Sequence, residues 1–412
     1  MQIAIGMPVG YPSVAAGKAG IFDHLINDDF EDDRAAGAAL NHAATPGPGQ
    51  RYGVDTGNYL SLADDKLAIS GGGSTWGTSI VYYVLAGRVP GQVMVAEITL
   101  ANKLFAVVGF GNNSIGLGDA THCVQFYFRD VLKFWGGGLT YNYGAYNTAT
   151  SYVVAAVLRA TGGFLFIKNY TGAYWTLLEI LHSGTASPDP QINSFNASLT
   201  ADYVRVPSAR WMPSPVLSDG FSAWGTSDGL GHAEGIAGGL GSGGGSVAIT
   251  AGVGTWGAAG GVASASALSS GIAVATADCG KADVIATAKV TRAGGNAGVV
   301  VRYVDASNYV YAYHTGTQVS LRKVVAGVDS QVLAPTNATY VAGARLRISA
   351  EGTAFRVTYN LAQVGAEQTI SDAALQSGTR VGMYTSNTGN TFDDLVVYAR
   401  GSGGEYAALD AF

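Results

Sequence analysis

The chain has 412 residues, a net charge of −6, and 48% hydrophobic but only 13% charged residues, with 59 glycines and 22 tyrosines. This length and apolar content exceed what one small core needs and argue against a disordered chain. With no cluster of Lys and Arg there is no nucleic-acid surface, and no apolar run reaches the roughly 18 residues of a membrane span.

The chain opens on MQIAIGMPVGYPSVAAGKAG, which lacks a basic start and is broken by Gly and Pro. It reads as neither a signal peptide nor a span. Residues 1–27 carry little charge and are expected to form an N-terminal arm, of the kind that adds a strand or fills a groove on a partner. Next comes DDFEDD, where Asp28, Asp29 and Phe30 open a domain. VQFYFRD (Val124 to Asp130) then alternates apolar and polar residues, which predicts a strand. A Gly-rich, aromatic stretch follows, FWGGGLTYNYGAYNTAT, with Trp135, Tyr141, Tyr143 and Tyr146. Loops of that composition make contacts, so these four residues are candidates for glycan or partner recognition. VLRATGGFLFIK reads as two strands about a Gly turn; WTLLEILHSG fits either a short helix or a strand and turn. SLTADYVRVP closes the domain and brings Asp202.

Residues 208–216, SARWMPSPV, hold two prolines and separate two similar plans. The second opens on LSDGF with Phe221, repeats Leu-x-His-Ala (His42, then His232), and passes through a Gly- and Ala-rich run, residues 225–261. That run reads as a flexible loop plus edge strands, or as a surface where backbones approach closely. Its GxGxxG spacings lie in low complexity without a strand–turn–helix context and mark no dinucleotide site. AGVVVRYV, NYVYAYH and FRVTYN alternate, and RLRISAEGTAFRVT repeats the strand–Gly–strand plan. Tyr309, Tyr311 and Tyr313 share one face of their strand and suit core packing, a subunit contact or stacking on sugar rings. TFDDLVVYAR closes the second plan. If each domain's first and last strands pair, Phe30 and Phe221 can plug the same end of each core. The acids beside them can then accept backbone N–H bonds or hold a cation, and Asp28, Asp29 and Asp202 are the candidate ligands of a structural Ca²⁺. No other cofactor is expected. Cys123 and Cys279 are either two buried thiols or one cross-domain bridge.

SDGF, the run GVVVRYVDASNYVYAYHTGTQVSLRKVVAG (Gly298 to Gly327) and NTFDDLVVYAR resemble the concanavalin A-like (laminin G-like) jelly rolls. The first half resembles them through DDFEDDRAAGAAL, VLRATGGFLFIKNYTGAYWTLL and ADYVRVP. The resemblance implies an all-β chain of two tandem antiparallel sandwiches: an arm (1–27), a first jelly roll (28–210), a linker (211–216), a second jelly roll (217–402) and a tail (403–412). Paired sandwiches of this family occur in virion proteins of tailed phages and in glycan-binding modules. The implied role is a non-enzymatic virion structural, decoration or tail protein, docked to other virion proteins through its arm, forming a homo-oligomer such as a trimer, and attaching to host-surface glycan. A lectin-like glycan-binding module is the alternative. The family also includes glycoside hydrolases, which set Glu, Asp and Glu alternately on one strand. Glu97, Glu179 and Glu351 each lack such neighbours, so no catalytic residue is assigned.

Overall fold

The computed structural model describes residues 24–31, 51–111 (without 75, 77, 86 and 88), 124–170 (without 137 and 138), 172–181, 189–221, 249–401 and 404–412. Two compact units result: residues 1–212 with 403–412, and residues 213–402. The last ten residues, expected as a tail, therefore belong to the first unit.

The first unit holds β1 (His24–Asp28), β2 (Arg51–Asp55), β3 (Leu60–Ala63), β4 (Lys66–Ile69), β5 (Ser79–Tyr83), β6 (Val93–Leu100), β7 (Phe105–Gly111), β8 (Val124–Phe128), β9 (Leu132–Gly136), β10 (Leu139–Gly144), β11 (Ser151–Leu158), β12 (Gly163–Lys168), β13 (Thr176–Leu181), β14 (Asp189–Phe195) and β15 (Leu199–Pro207). The second holds β16 (Leu217–Asp219), β17 (Thr250–Val253), β18 (Thr255–Ala259), β19 (Val262–Ala267), β20 (Ala273–Asp278), β21 (Val284–Thr291), β22 (Ala297–Asp305), β23 (Asn308–His314), β24 (Gln318–Val325), β25 (Val328–Asn337), β26 (Ala344–Glu351), β27 (Ala354–Tyr359), β28 (Ala362–Thr369), β29 (Arg380–Thr385) and β30 (Thr391–Ala399), with a one-turn helix, α1 (Ala373–Gln376). All pairings between these strands are antiparallel.

Sheet I runs β13-β12-β11-β6-β15-β4-β3 with β1 beside β15, and sheet II runs β10-β9-β8-β7-β14-β5-β2. Sheet III runs β18-β19-β30-β21-β26-β27-β28, entered here from its other edge, with β16 beside β30; sheet IV runs β17-β20-β29-β22-β23-β24-β25. Adding fifteen to each strand number of the first unit reproduces the second. The duplicated plan read from the sequence is thus a duplicated topology, with every strand of one sandwich matched in the other. Between the sheets of each unit lies an apolar core. In β8, Val124, Phe126 and Phe128 enter it; in β23, Val310 and Ala312 do. The period-two alternation that predicted these strands is the alternation of faces.

The paired openings behave as expected. β1 pairs with β15 and β16 with β30. Phe30 and Phe221 are each fully buried, both with left-handed backbone, φ 59° and 52°. Such a conformation is costly for a bulky residue. Here the carboxylate two residues earlier supports it: Asp28 Oδ1 accepts the Phe30 N–H at 3.1 Å and Asp219 Oδ1 the Phe221 N–H at 2.8 Å.

Of WTLLEILHSG, ambiguous in sequence, Thr176–Leu181 forms β13 at the edge of sheet I, so the helical alternative fails there. Its β-branched and apolar residues pair with β12 rather than close a helical turn. Of the Gly- and Ala-rich run, the described part supplies β17 and β18, both sheet edges. Residues 222–248, which include His232, lie outside the described residues, as do His42 and most of the arm, residues 1–23. Cys279 is a free, buried thiol donating to the Thr379 carbonyl at 3.0 Å, and burial pushes it up to about 11; it is chemically quiet. Cys123 lies outside the described residues.

One core histidine makes the second unit sensitive to acid. His314 is fully buried at the end of β23, between the rings of Tyr340 and Tyr359. Its Nδ1 accepts the Gly316 N–H at 2.8 Å, which leaves Nε2 to donate to the Ala338 carbonyl at 3.1 Å. Burial holds it below the usual 6.5, the Ala338 bond raises it, and the nearby Arg292 charge lowers it further. Near that pH the unfolded chain takes up a proton that the folded chain refuses. Stability is therefore full above it and falls as pH drops through it, until folded His314 protonates too. Urea midpoints of the second unit are expected to fall between pH 7.5 and pH 5, and a His314→Gln chain should show a flatter profile. Equal slopes in the two chains would contradict this.

Candidate functional site

A sheet in a two-layer sandwich has one face in the core and one turned away from it. In sheet IV the second face carries Tyr309, Tyr311 and Tyr313 from β23, as their alternation predicts. It adds Tyr303 from β22 and Tyr384 from β29. Ring centroids lie 5.7 Å apart for Tyr303–Tyr309, 5.4 Å for Tyr309–Tyr311, 5.7 Å for Tyr311–Tyr313 and 4.5 Å for Tyr311–Tyr384. These separations are those of favourable tilted and offset ring pairs.

Two glycines let the rings lie close to the sheet. Tyr384 and Tyr313 flank Gly298 across neighbouring strands, and Val300 sits between Gly382 and Tyr311. A Cβ on Gly298 would stand 1.9 Å from the Ala312 carbonyl oxygen, and one on Gly382 1.9 Å from that of Ala275, so neither position admits a side chain. Tyr303, Tyr309, Tyr311 and Tyr384 are buried against one another and their neighbours, whereas Tyr313 is half-buried. Arg322, opposite Tyr311 in register, holds Asp329 of the edge strand through Nε at 3.0 Å to each carboxylate oxygen. Burial raises the phenols of Tyr303, Tyr309 and Tyr311 and pushes Tyr384 up to about 12. At neutral pH the face therefore holds uncharged phenols beside the Arg322–Asp329 ion pair, and Tyr313 is the ring of the five that is open to solvent.

Of Arg302 and Tyr303, adjacent on β22, Tyr303 joins this face and Arg302 does not. Arg302 is buried and ties together four segments. It donates to the carbonyls of Ala282 (2.7 Å), Leu375 (3.4 Å), Gly352 (3.1 Å) and Gln376, and to Asp283 Oδ1 at 2.6 Å. Tyr384 had no local signal in sequence, because β29 follows β23 by some seventy residues and reaches the patch only through sheet order.

The corresponding face of sheet II differs. Trp76, Phe105, Tyr127 and Phe195 cluster there, with Trp76 stacked on Phe195 at 5.7 Å and Arg129 4.5 Å over Phe105. Gln125 and Gln191 flank Gly109 in register, and both amides lie over Gly111. The recognition loop expected around Trp135 to Tyr146 is instead the β9–β10 hairpin and the turn after it. Tyr143 and Tyr146 are buried in the first core, the Tyr146 hydroxyl donating to the Arg129 carbonyl at 2.7 Å. They present no contact surface, because the hairpin folds its apolar face inward. The backbones of Trp135 and Tyr141 lie in β9 and β10, and their side chains lie outside the described ones.

Asp28, Asp29 and Asp202 do not gather about a cation. Asp28 is taken by Arg51 Nη1 (2.9 and 3.1 Å) and the Tyr83 hydroxyl (2.8 Å), so a guanidinium stands where a metal would. Asp202 pairs with Lys66 at 2.9 Å. Among the described residues no three His, Cys, Asp or Glu side chains are placed to hold a metal ion. The strand glutamates are also engaged: Glu97 accepts from Ser151 at 2.5 Å, Glu179 from the Ile180 N–H at 2.8 Å, and Glu351 pairs with Arg400 at 2.6 Å.

Compared with family models and with curated proteins, the sequence matches none. Among solved structures it is similar to a carbohydrate-binding module, CBM66, of Bacillus subtilis, at 18% identity over 37% of this chain and 95% of that one, with a TM-score of 0.32. It is also similar to a beta-1,3-glucanase of Mycobacterium marinum, at 13% identity over 47% of this chain and all of that one, TM-score 0.28. A GH43 protein of Bacillus licheniformis overlaps 85% of this chain and 74% of its own at 12% identity, TM-score 0.28.

Proposed function

We propose that the chain is a non-catalytic contact protein that binds neutral saccharide through the tyrosine face of sheet IV. The observation that carries this reading is the convergence of five tyrosines, from three strands, on the face that the core does not use, four of them buried and seating the half-exposed ring of Tyr313. Tyr313 offers its ring for a sugar's C–H face, and Arg322 with Asp329 supplies hydrogen bonds at the rim, where their charges cancel. A charged glycan would gain nothing from that cancellation, so uncharged sugars suit the face better.

Tyr313→Ala is expected to weaken retention of the chain in gels cast with neutral polysaccharide by about five- to tenfold, the value of one aromatic stacking contact. Circular dichroism should be unchanged. Retention that is absent in the parent chain, or equal in both, would overturn the reading. The absence of catalysis is part of the proposal: incubation with the same polysaccharides should release no reducing ends. The finer expectation drawn from the resemblance, a virion component docked through residues 1–27, accords with a contact role and is tested by the protein composition of purified particles.

A further inference from the structure

The two sandwiches share their topology but not the face of the first sheet that is turned away from the core. On β26 and β27 of the second unit that face carries Arg347, Arg356 and Thr358. On the matching β12 and on β13 of the first it carries Phe164, Phe166 and Leu177, all buried and none part of the central core. Apolar side chains persist on such a face where something covers them.

Here the cover is the end of the chain itself. Tyr406 packs edge-on against Phe166 at 4.8 Å, and Phe166 also meets Trp211 at 5.5 Å. Asp410, in the 3-10 turn Ala407–Ala411, accepts from the Trp175 indole at 2.8 Å and from Lys168 Nζ at 2.6 Å on one oxygen. Tyr406, Leu409 and Phe412 are buried. An aromatic anchor, an aliphatic one and a carboxylate held by two convergent donors make a recognition pattern, with the charge pair at its solvent-open rim.

We infer that the outward face of β12 and β13 is a peptide-binding surface for an acidic, aromatic segment, filled in the same chain by residues 404–412. It is independent of the saccharide face, which lies on the other unit.

A protease site placed at residues 401–404 lets the full chain fold before it is cut. The cut segment is expected either to co-elute with the chain or, if lost on gel filtration, to be replaced saturably by a synthetic peptide of residues 404–412. Rebinding is read from the fluorescence of the two contacting tryptophans. The same peptide with Asp410→Asn should bind about three- to fivefold more weakly, for loss of the charge on two hydrogen bonds at a partly exposed site. Loss of the segment with no rebinding, or equal binding of both peptides, would overturn the inference. In the uncut chain, Asp410→Asn should speed hydrogen exchange over residues 404–412, and unchanged exchange there would also overturn it.

Discussion

Replacing Arg302 with methionine is expected to cost the second unit about 3–5 kcal/mol, because it leaves several buried carbonyls without their donor beside a partly exposed carboxylate. The side chain is 2% exposed and crosses from β22 to the turn before β21, the end of α1 and the β26–β27 turn. Each of those segments turns a carbonyl toward it, and Asp283 supplies the counter-charge while also accepting the Gly352 N–H at 2.8 Å. Methionine fills much of the volume but leaves those carbonyls and the carboxylate without their donor. Arg302→Lys should recover little, because a single ammonium cannot fork toward three segments. Urea unfolding followed on the second unit measures the effect. A loss below about 1 kcal/mol, in the range of an exposed ion pair, would contradict this role.

The first unit has its own keystone. Asp28→Ala is expected to destabilise it by a similar amount, about 3–5 kcal/mol. The change takes the Asp28 counter-charge from the Arg51 guanidinium, whose side chain is 0% exposed, and removes an acceptor of the Tyr83 hydroxyl and of the Phe30 N–H. Phe30 then loses the bond that supports its left-handed backbone. Asp28→Asn, which keeps the shape but not the charge, should recover part of the loss. If thermal unfolding of the first unit moves by less than 2 °C in the alanine variant, the carboxylate is not the keystone described here.

The local features of this molecule were legible in its sequence. Alternation in VQFYFRD and NYVYAYH marked strands and put Tyr309, Tyr311 and Tyr313 on one face without saying which, Gly turns marked the β11–β12 and β26–β27 hairpins, and the repeated openings at Phe30 and Phe221 marked the plugged ends of both cores. What the sequence did not disclose depends on which strands become neighbours. Asp28 looked like a cation ligand until β2 and β5 brought Arg51 and Tyr83 to it. Tyr143 and Tyr146 looked like contact residues because glycine-rich aromatic stretches suit both loops and hairpins, and only packing decides between them. Tyr384 joined the tyrosine face, and residues 404–412 joined the first unit, through pairings across long sequence separations that no local pattern encodes.

The central claim is that the tyrosine face of sheet IV holds saccharide without cleaving it. Hydrogen–deuterium exchange of the full chain, with and without a neutral polysaccharide that it retains, tests this most directly. Slowed exchange is predicted in β23, β24 and β29, with the polysaccharide recovered at its original length. Protection confined to sheet III or to the first unit, or a shortened polysaccharide, would contradict it.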